Sequence, residues 1–314
     1  MNMGSRAQPV SRHRDPGPVF SHFAPEMMED ALIQLATENE KRLSELPDEA
    51  GSFKETQIVE FVFLLAEKWC LDQPVRYQAV ELLERFMIKQ VEQICKCSRD
   101  NVRSQEREGS SWSSLKDQIC DTFVLRLVSC IQLASKLSLH YNIVNSDTAL
   151  RFLQSLKYSY TKQELLESEL AVLKTLHFQI NVSTPLAYVE LLLEVLGYNG
   201  CLLPVKPLHQ MCVQLLDFSY LTRDPIYSTL LETAIENSTP NQLQVAKFLA
   251  VKEDSMLLAV GIISTSMFIL EPRHWAQVVE HLSSVTGVTS QSISEFSYAV
   301  LKHIVGSPTP QQHF

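Results

Sequence analysis

Glycine is scarce in this sequence, with 9 residues in 314, and the glycine-rich motifs that hold phosphates are missing. Neither G-x-x-x-x-G-K nor G-x-G-x-x-G occurs, and H-E-x-x-H and G-x-S-x-G are absent as well. The nine histidines are scattered without i, i+4 pairing, so they form no metal-binding pattern. We therefore expect no catalytic activity, no cofactor and no metal ion.

Long hydrophobic runs and paired cysteines are also lacking. No run of 18 apolar residues is free of charge, and the N-terminus has no apolar segment of the signal-peptide type. The seven cysteines are odd in number, and Cys95 and Cys97 form a lone C-x-C without a second pair. These features predict an intracellular protein with reduced thiols and no membrane partner.

The sequence also has no excess of basic residues, because its formal net charge is −9. Proteins that neutralise nucleic-acid phosphates usually carry a basic stripe, so direct nucleic-acid binding is not expected. A hydrophobic content of 45% is nevertheless ample for a globular core.

The apolar residues recur with helical periodicity throughout, which predicts an all-α protein with two helical units. We expect a disordered tail at 1–25, an N-terminal helix plus five further helices at 26–182, a second unit at 183–305 and a flexible tail at 306–314. Helix starts are predicted at a Ser52/Glu55 capping box, at Pro74, at a Thr161/Glu164 capping box and at Pro185. The polar stretch 96–114 is interpreted as an exposed insertion between helices.

Lys136 lies in a predicted helix, about 115 to 140, that is apolar around nearly its whole circumference. Ser129, Gln132 and Lys136 form its one narrow polar stripe. In the helix after Thr161, Glu169 lies among leucines and valine on the core-facing side, where a carboxylate requires a cation. We predict that Lys136 and Glu169 pair at the rim of the bundle, either as a structural ion pair or as a binding site.

Three segments resemble the five-helix cyclin box: AEKWCLDQPVRYQAVELLERFM at 66–87, LASK at 133–136 and YTKQELLESELAVLKTLHFQI at 160–180. DSMLLAVGIISTSMFI at 254–269 resembles the central helix of a second box, which is divergent and has extra sequence at 228–252. The resemblance implies two tandem cyclin boxes. It also implies that Lys136 and Glu169, with Gln132 and Leu137 beside them, bind a cyclin-dependent kinase.

The sequence departs from the family in the first box helix. Where typical cyclins carry M-R-x-I-L-x-x-W, a docking patch for substrates, this chain has Lys54, Glu55, Gln57, Ile58 and Phe61. Glu84 stands where the family has the aspartate that pairs with the arginine of that pattern. We expect another arrangement, with Lys54 or Arg85 involved, to hold the first two helices together.

The resulting hypothesis is a non-catalytic subunit that regulates a cyclin-dependent kinase. The resemblance further implies a nuclear role in meiosis, in the maturation of crossover intermediates, with recombination or clamp-loading proteins as further partners and the cytoplasm as a second location. A kinase-independent scaffold for those proteins is the alternative. A nucleic-acid-binding cyclin-fold protein is the second alternative, and the acidic balance of charge counts against it.

Overall fold

The computed structural model describes residues 24–46, 53–102, 108–138, 142–201, 204–235 and 242–306. In these ranges the chain is all-α, as predicted, with thirteen α-helices, one 3-10 helix and no strand. The helices are α1 (Pro25–Ser44), α2 (Thr56–Lys68), α3 (Gln73–Val102), α4 (Glu108–Leu137), α5 (Ser146–Ser155), α6 (Lys162–Thr175), α7 (Pro185–Tyr198), α8 (Val205–Leu221), α9 (Arg223–Ala234), α10 (Gln242–Glu253), α11 (Ser255–Leu270), the 3-10 helix Pro272–His274, α12 (Trp275–Thr286) and α13 (Ser290–Gly306). The predicted tails fall almost wholly on residues outside the described ranges.

Two helices are surrounded by others and form the centres of the structure. Helix α4 packs against α2, α3, α5 and α6, and α11 packs against α7, α8, α12 and α13. Gly261 in α11 lies where an added Cβ would come 2.3 Å from the Phe296 ring, so the close contact between α11 and α13 requires glycine. Within the described ranges, no helix combines the length and apolar character needed to cross a bilayer.

Several helix boundaries differ from those predicted. Glu55 is itself the N-cap of α2 and makes no side-chain cap hydrogen bond, so the predicted capping box is wrong there, while Ser52 lies outside the described residues. The polar stretch 96–114 is mostly helical, because α3 continues to Val102 and α4 begins at Glu108. Helix α4 ends at Leu137. Polarity alone did not reveal that both helices continue beyond the packed core.

Helix α9 was not expected, because the sequence was interpreted as an insertion from 228 onwards, after an Asp224-Pro225 dipeptide of the kind that often breaks a helix. Pro225 instead lies in the first turn of α9, where a missing N–H is tolerated. Ile226 and Tyr227 from this helix are buried. Much of the predicted 228–252 insertion is therefore part of α9 and α10, and residues 236–241 lie outside the described ranges. The domain boundary at 182–183 stays a prediction.

Five charged side chains meet where α1, α3, α9 and α10 approach one another. We call Arg42, Lys54, Glu81, Arg223 and Glu253 the junction cluster. Lys54 Nζ lies 3.0 Å from Glu81 Oε1 and 2.8 Å from Glu253 Oε2, and Arg223 Nη2 lies 2.5 Å from Glu253 Oε1. Arg42 lies 3.9 Å from Glu81 and also donates to the Glu253 carbonyl at 2.8 Å. All but Arg42 are buried, so each charge depends on its partners.

The cluster accounts for the departure from the family pattern noted in the sequence. Lys54 does join the segment before α2 to α3, through Glu81, as one of the two predicted possibilities. Arg85 instead donates from Nη1 to the Gln179 carbonyl at 2.8 Å. Glu84 accepts the Phe53 N–H at 2.6 Å, which adds a second link between the same two elements.

The net pKa shifts of two nearby buried carboxyl groups, Glu84 and Glu253, have opposite signs, although burial raises the pKa of both. For Glu84, burial raises the pKa to about 7. Burial also favours the neutral form of Glu253, but the charges of Lys54 and Arg223 outweigh it and lower the pKa of Glu253 to about 2. Glu253 is therefore charged at neutral pH, and Glu84 is near its midpoint.

We expect Glu84→Gln to change how the free energy of unfolding depends on pH. The folded pKa of Glu84 lies above its ordinary value of 4.5, so its contribution to stability is complete below pH 4.5 and is lost as the pH rises through 7. Glutamine keeps an acceptor for the Phe53 N–H but does not titrate. The stability of the variant relative to the parent should rise by about 1 kcal/mol per pH unit over this window, as measured by urea unfolding.

Glu253→Gln provides the comparison of opposite sign. Its folded pKa is lowered, so its contribution is present above pH 4.5 and is lost as the pH falls towards 2. This variant should be destabilised by about 3 kcal/mol or more at neutral pH, because Lys54 and Arg223 lose a buried partner. Parallel pH profiles for Glu84→Gln and the parent protein would show that Glu84 does not titrate as described.

Candidate protein-docking surface

Lys136 and Glu169 are brought together by α4 and α6. Lys136 lies in the last turn of α4, and its Nζ donates to Glu169 Oε1 at 2.5 Å. The Lys136 side chain is 41% exposed, whereas that of Glu169 is 7% exposed. The pair thus lies at the rim of the bundle, with the carboxylate inside and the ammonium reaching solvent, as the sequence predicted.

The surrounding contacts fix the two helices relative to each other. Ser129 Oγ donates to Ser168 Oγ at 2.8 Å, and Arg126 Nη1 donates to the Ser168 carbonyl at 3.1 Å. At the start of α6, Thr161 and Glu164 form the predicted capping box. The polar stripe of α4 therefore faces α6 along most of its length, and Glu169 follows directly after the residue that receives two of these bonds.

Gln132 is not on the surface, which corrects its prediction as a kinase-binding side chain. It is fully buried, and its Nε2 donates to the Val144 carbonyl at 3.2 Å. Ser135 Oγ accepts the Val144 N–H at 3.0 Å and donates to the Gln132 carbonyl at 2.8 Å. Both residues anchor the start of the segment before α5. Gln132 therefore shapes the connection after α4 and cannot itself contact a partner in this conformation.

Leu137 is half-buried and ends α4 directly beside Lys136. Its side chain retains some exposed surface next to the ammonium group. This position is compatible with the predicted contact, which stays a prediction.

Two exposed leucines of α6 were not predicted from the sequence. Leu166 is 46% exposed and Leu170 is 42% exposed. On a helical wheel Leu166 and Leu170 lie about 60° and 100° from Glu169 in one direction. The buried Leu165 and Val172 lie on the other side of Glu169. Their i, i+4 spacing in an otherwise charged face was the signal that could have found them. Together Lys136, Glu169, Leu166 and Leu170 form what we call the α6 surface.

The chemistry of the α6 surface is that of protein binding. An ion pair with apolar side chains beside it offers both orientation and area to a partner. No group of three or more His, Cys, Asp or Glu side chains that could hold a metal ion occurs in the part of the chain that the structure describes.

Comparison with known proteins agrees with the resemblance found in the sequence. The model of the family described as Cyclin, N-terminal domain matches residues 33–181, which include both Lys136 and Glu169. Cyclin N-terminal domain-containing protein 1 from Mus musculus is 59% identical over 291 residues, covering 93% of this chain and 87% of the relative. The protein of the same name from Homo sapiens is 58% identical over 291 residues, covering 93% and 88%.

Among solved structures, the viral cyclin from herpesvirus saimiri matches with a TM-score of 0.49 and 14% identity, covering 85% of this chain and 97% of the viral chain. The assignment to a family therefore rests on the mouse and human relatives, which align over 93% of this chain. On their evidence the chain belongs to the cyclin family, with cyclin N-terminal domain-containing protein 1 as its relative in both species.

Proposed function

We propose that this protein is a non-catalytic regulatory subunit that binds a cyclin-dependent kinase through the α6 surface. The observation that carries the proposal is the Lys136–Glu169 pair, whose buried carboxylate holds a half-exposed ammonium at the edge of the first bundle. Membership of a family of regulatory proteins supports a binding role over a catalytic one. The family resemblance supports a kinase as the partner.

The pair has spare hydrogen-bonding capacity on both sides. The Lys136 ammonium has three donors and the Glu169 carboxylate has two oxygens, and one bond between them is described. The remaining groups can bind a backbone carbonyl and a backbone N–H of a partner at the same time. Such a grip near the αC helix of a kinase would favour the arrangement that aligns its phosphoryl-transfer groups.

Combining Lys136→Ala with Glu169→Ala should weaken kinase binding by tenfold or more. The double change avoids leaving a buried carboxylate alone, so the loss reports the missing grip rather than an unpaired charge. The measurement is surface plasmon resonance of the purified chain against a panel of purified cyclin-dependent kinases. A tenfold change corresponds to about 1.4 kcal/mol of binding free energy.

Lys252→Ala with Asp224→Ala is the matched control. This second partly exposed pair has Nζ 3.6 Å from Oδ1 and lies on α9 and α10, away from the α6 surface. The control should bind the kinase like the parent protein. Equal affinity of the parent and of the Lys136/Glu169 variant would mean that the pair is only structural.

A kinase-independent scaffold is the second candidate. Lys54 stands at a position of the family's first-helix docking pattern, but it is buried in the junction cluster and unavailable to a substrate. A kinase bound to this chain would therefore recruit substrates differently, or would not be activated at all. If the chain is a regulatory subunit, adding it to a purified kinase should increase phosphate transfer to a histone-type substrate severalfold, whereas a scaffold gives no increase.

The biological setting that we propose is the nucleus of meiotic germ cells, in the maturation of crossover intermediates together with recombination or clamp-loading proteins. The similarity to the mouse and human relatives over 93% of the chain supports carrying over the role that the resemblance implies. Immunofluorescence on spread spermatocyte chromosomes should show discrete chromosomal foci. A diffuse cytoplasmic signal throughout meiotic prophase would contradict this setting.

A further inference from the structure

A groove with a volume of about 810 Å³ lies between the second halves of α1 and α3 and the connection from α6 to α7. Its lining contains five basic side chains and three carboxylates, which leaves two positive charges in excess when His177 is neutral. The whole chain has a net charge of −9, so the groove is positive against a negative background. The basic residues are Lys41, Arg42, Arg85, Lys89 and Lys96.

The positive charge of the groove is only partly neutralised by ion pairs. Lys89 pairs with Glu92 at 3.1 Å, and Arg42 takes part in the junction cluster. Lys41, Arg85 and Lys96 form no ion pair within the described ranges. Arg85 is half-buried, and its one described hydrogen bond goes to the Gln179 carbonyl. Glu81 and Glu45 act on the Arg85 guanidinium through their charges, but neither forms an ion pair with it, so this partly desolvated cation keeps donors for an anion.

An exposed aromatic side chain lies at the edge of the same groove. Phe178 is 63% exposed, and both it and His177 have positive φ angles, 60° and 50°. Their N–H groups donate to the Leu173 carbonyl at 2.8 Å and the Lys174 carbonyl at 3.0 Å. Left-handed backbone angles are unfavourable for bulky residues. The turn that follows α6 therefore fixes the position of Phe178 at a cost in backbone strain.

We propose that this groove binds an acidic peptide segment of a partner protein. Carboxylates of the peptide would face Lys41, Arg85 and Lys96, and an apolar side chain would pack on Phe178. The volume suits several side chains of an extended segment. The three carboxylates on the groove walls favour a peptide with spaced charges over the dense phosphates of a nucleic acid. The chain's own residues 1–23 carry three arginines and one aspartate, so their charge does not suit the site.

Fluorescence anisotropy of the full chain tests the proposal. The probe is a short fluorescein-labelled peptide rich in glutamate with two phenylalanines, and the control peptide has lysine in place of every glutamate. We expect saturable binding of the acidic peptide alone, weakening as salt rises from about 50 to about 300 mM. Absence of binding, equal binding of both peptides, or stronger binding of a single-stranded oligonucleotide would overturn the proposal.

Lys41→Glu combined with Lys96→Glu should weaken peptide binding at least tenfold. Both side chains are exposed, so the fold is expected to tolerate the change. Lys206→Glu with Lys302→Glu makes the same change in charge at exposed positions on α8 and α13, and should leave peptide binding intact. Equal effects of the two variants would indicate a response to net charge and not a groove.

Kinase binding separates this site from the α6 surface. The Lys41/Lys96 variant should associate with the kinase like the parent, and the Lys136/Glu169 variant should retain the peptide. If reversal at Lys41 and Lys96 abolishes kinase binding but leaves peptide binding unchanged, the groove is part of the kinase surface and the proposal is wrong. If neither the parent nor any variant binds a kinase, the proposed function fails. The peptide measurements still test the groove, because they do not depend on kinase binding.

Discussion

The junction cluster is the constraint on which the relative placement of the helices depends. Lys54 lies between a carboxylate of α3 and a carboxylate of α10, and Arg223 at the start of α9 shares the second of these. A buried charge without a partner is costly, so these elements cannot separate without large loss of stability. The cluster therefore links the parts of the chain before and after the α6–α7 connection more specifically than apolar packing does.

The same network holds α1 in place. Arg42 reaches Glu81 and the Glu253 carbonyl, Asn39 Nδ2 donates to Asp254 Oδ1 at 2.8 Å, and Tyr188 OH donates to the Leu35 carbonyl at 2.9 Å. These bonds fix an amphipathic helix that has only a few buried residues of its own. Because α1 forms one wall of the basic groove, the buried cluster also determines the shape of that groove.

The sequence predicted what could be recognised one helix at a time. Lys136 and Glu169 were each out of place on an apolar helix face, so each indicated a partner, and the structure pairs them. The junction cluster could not be derived in this way, because its five members come from five segments. Their charges are explained only by the contacts that they make in the folded chain. Gln132 was misplaced for a related reason: periodicity put it on the polar stripe with Lys136, but its side chain is buried and donates to the Val144 carbonyl. Pro225 was misjudged because a first-turn proline and a helix breaker look alike in sequence.

The junction cluster and the Lys136–Glu169 pair differ in exposure. This difference indicates that the cluster stabilises the fold, whereas the pair can bind another protein. Lys54 is 5% exposed and has two carboxylate neighbours, so its charge is satisfied within the fold. Lys136 is 41% exposed, shares one described bond with a buried carboxylate and has exposed leucines nearby on α6. Because Lys136 already has a charged partner, covering it costs less than covering an unpaired ammonium, and its other donors can bond to the partner protein. An interface that covered the pair would keep its charges balanced, as burial of any charged group in a docking surface requires.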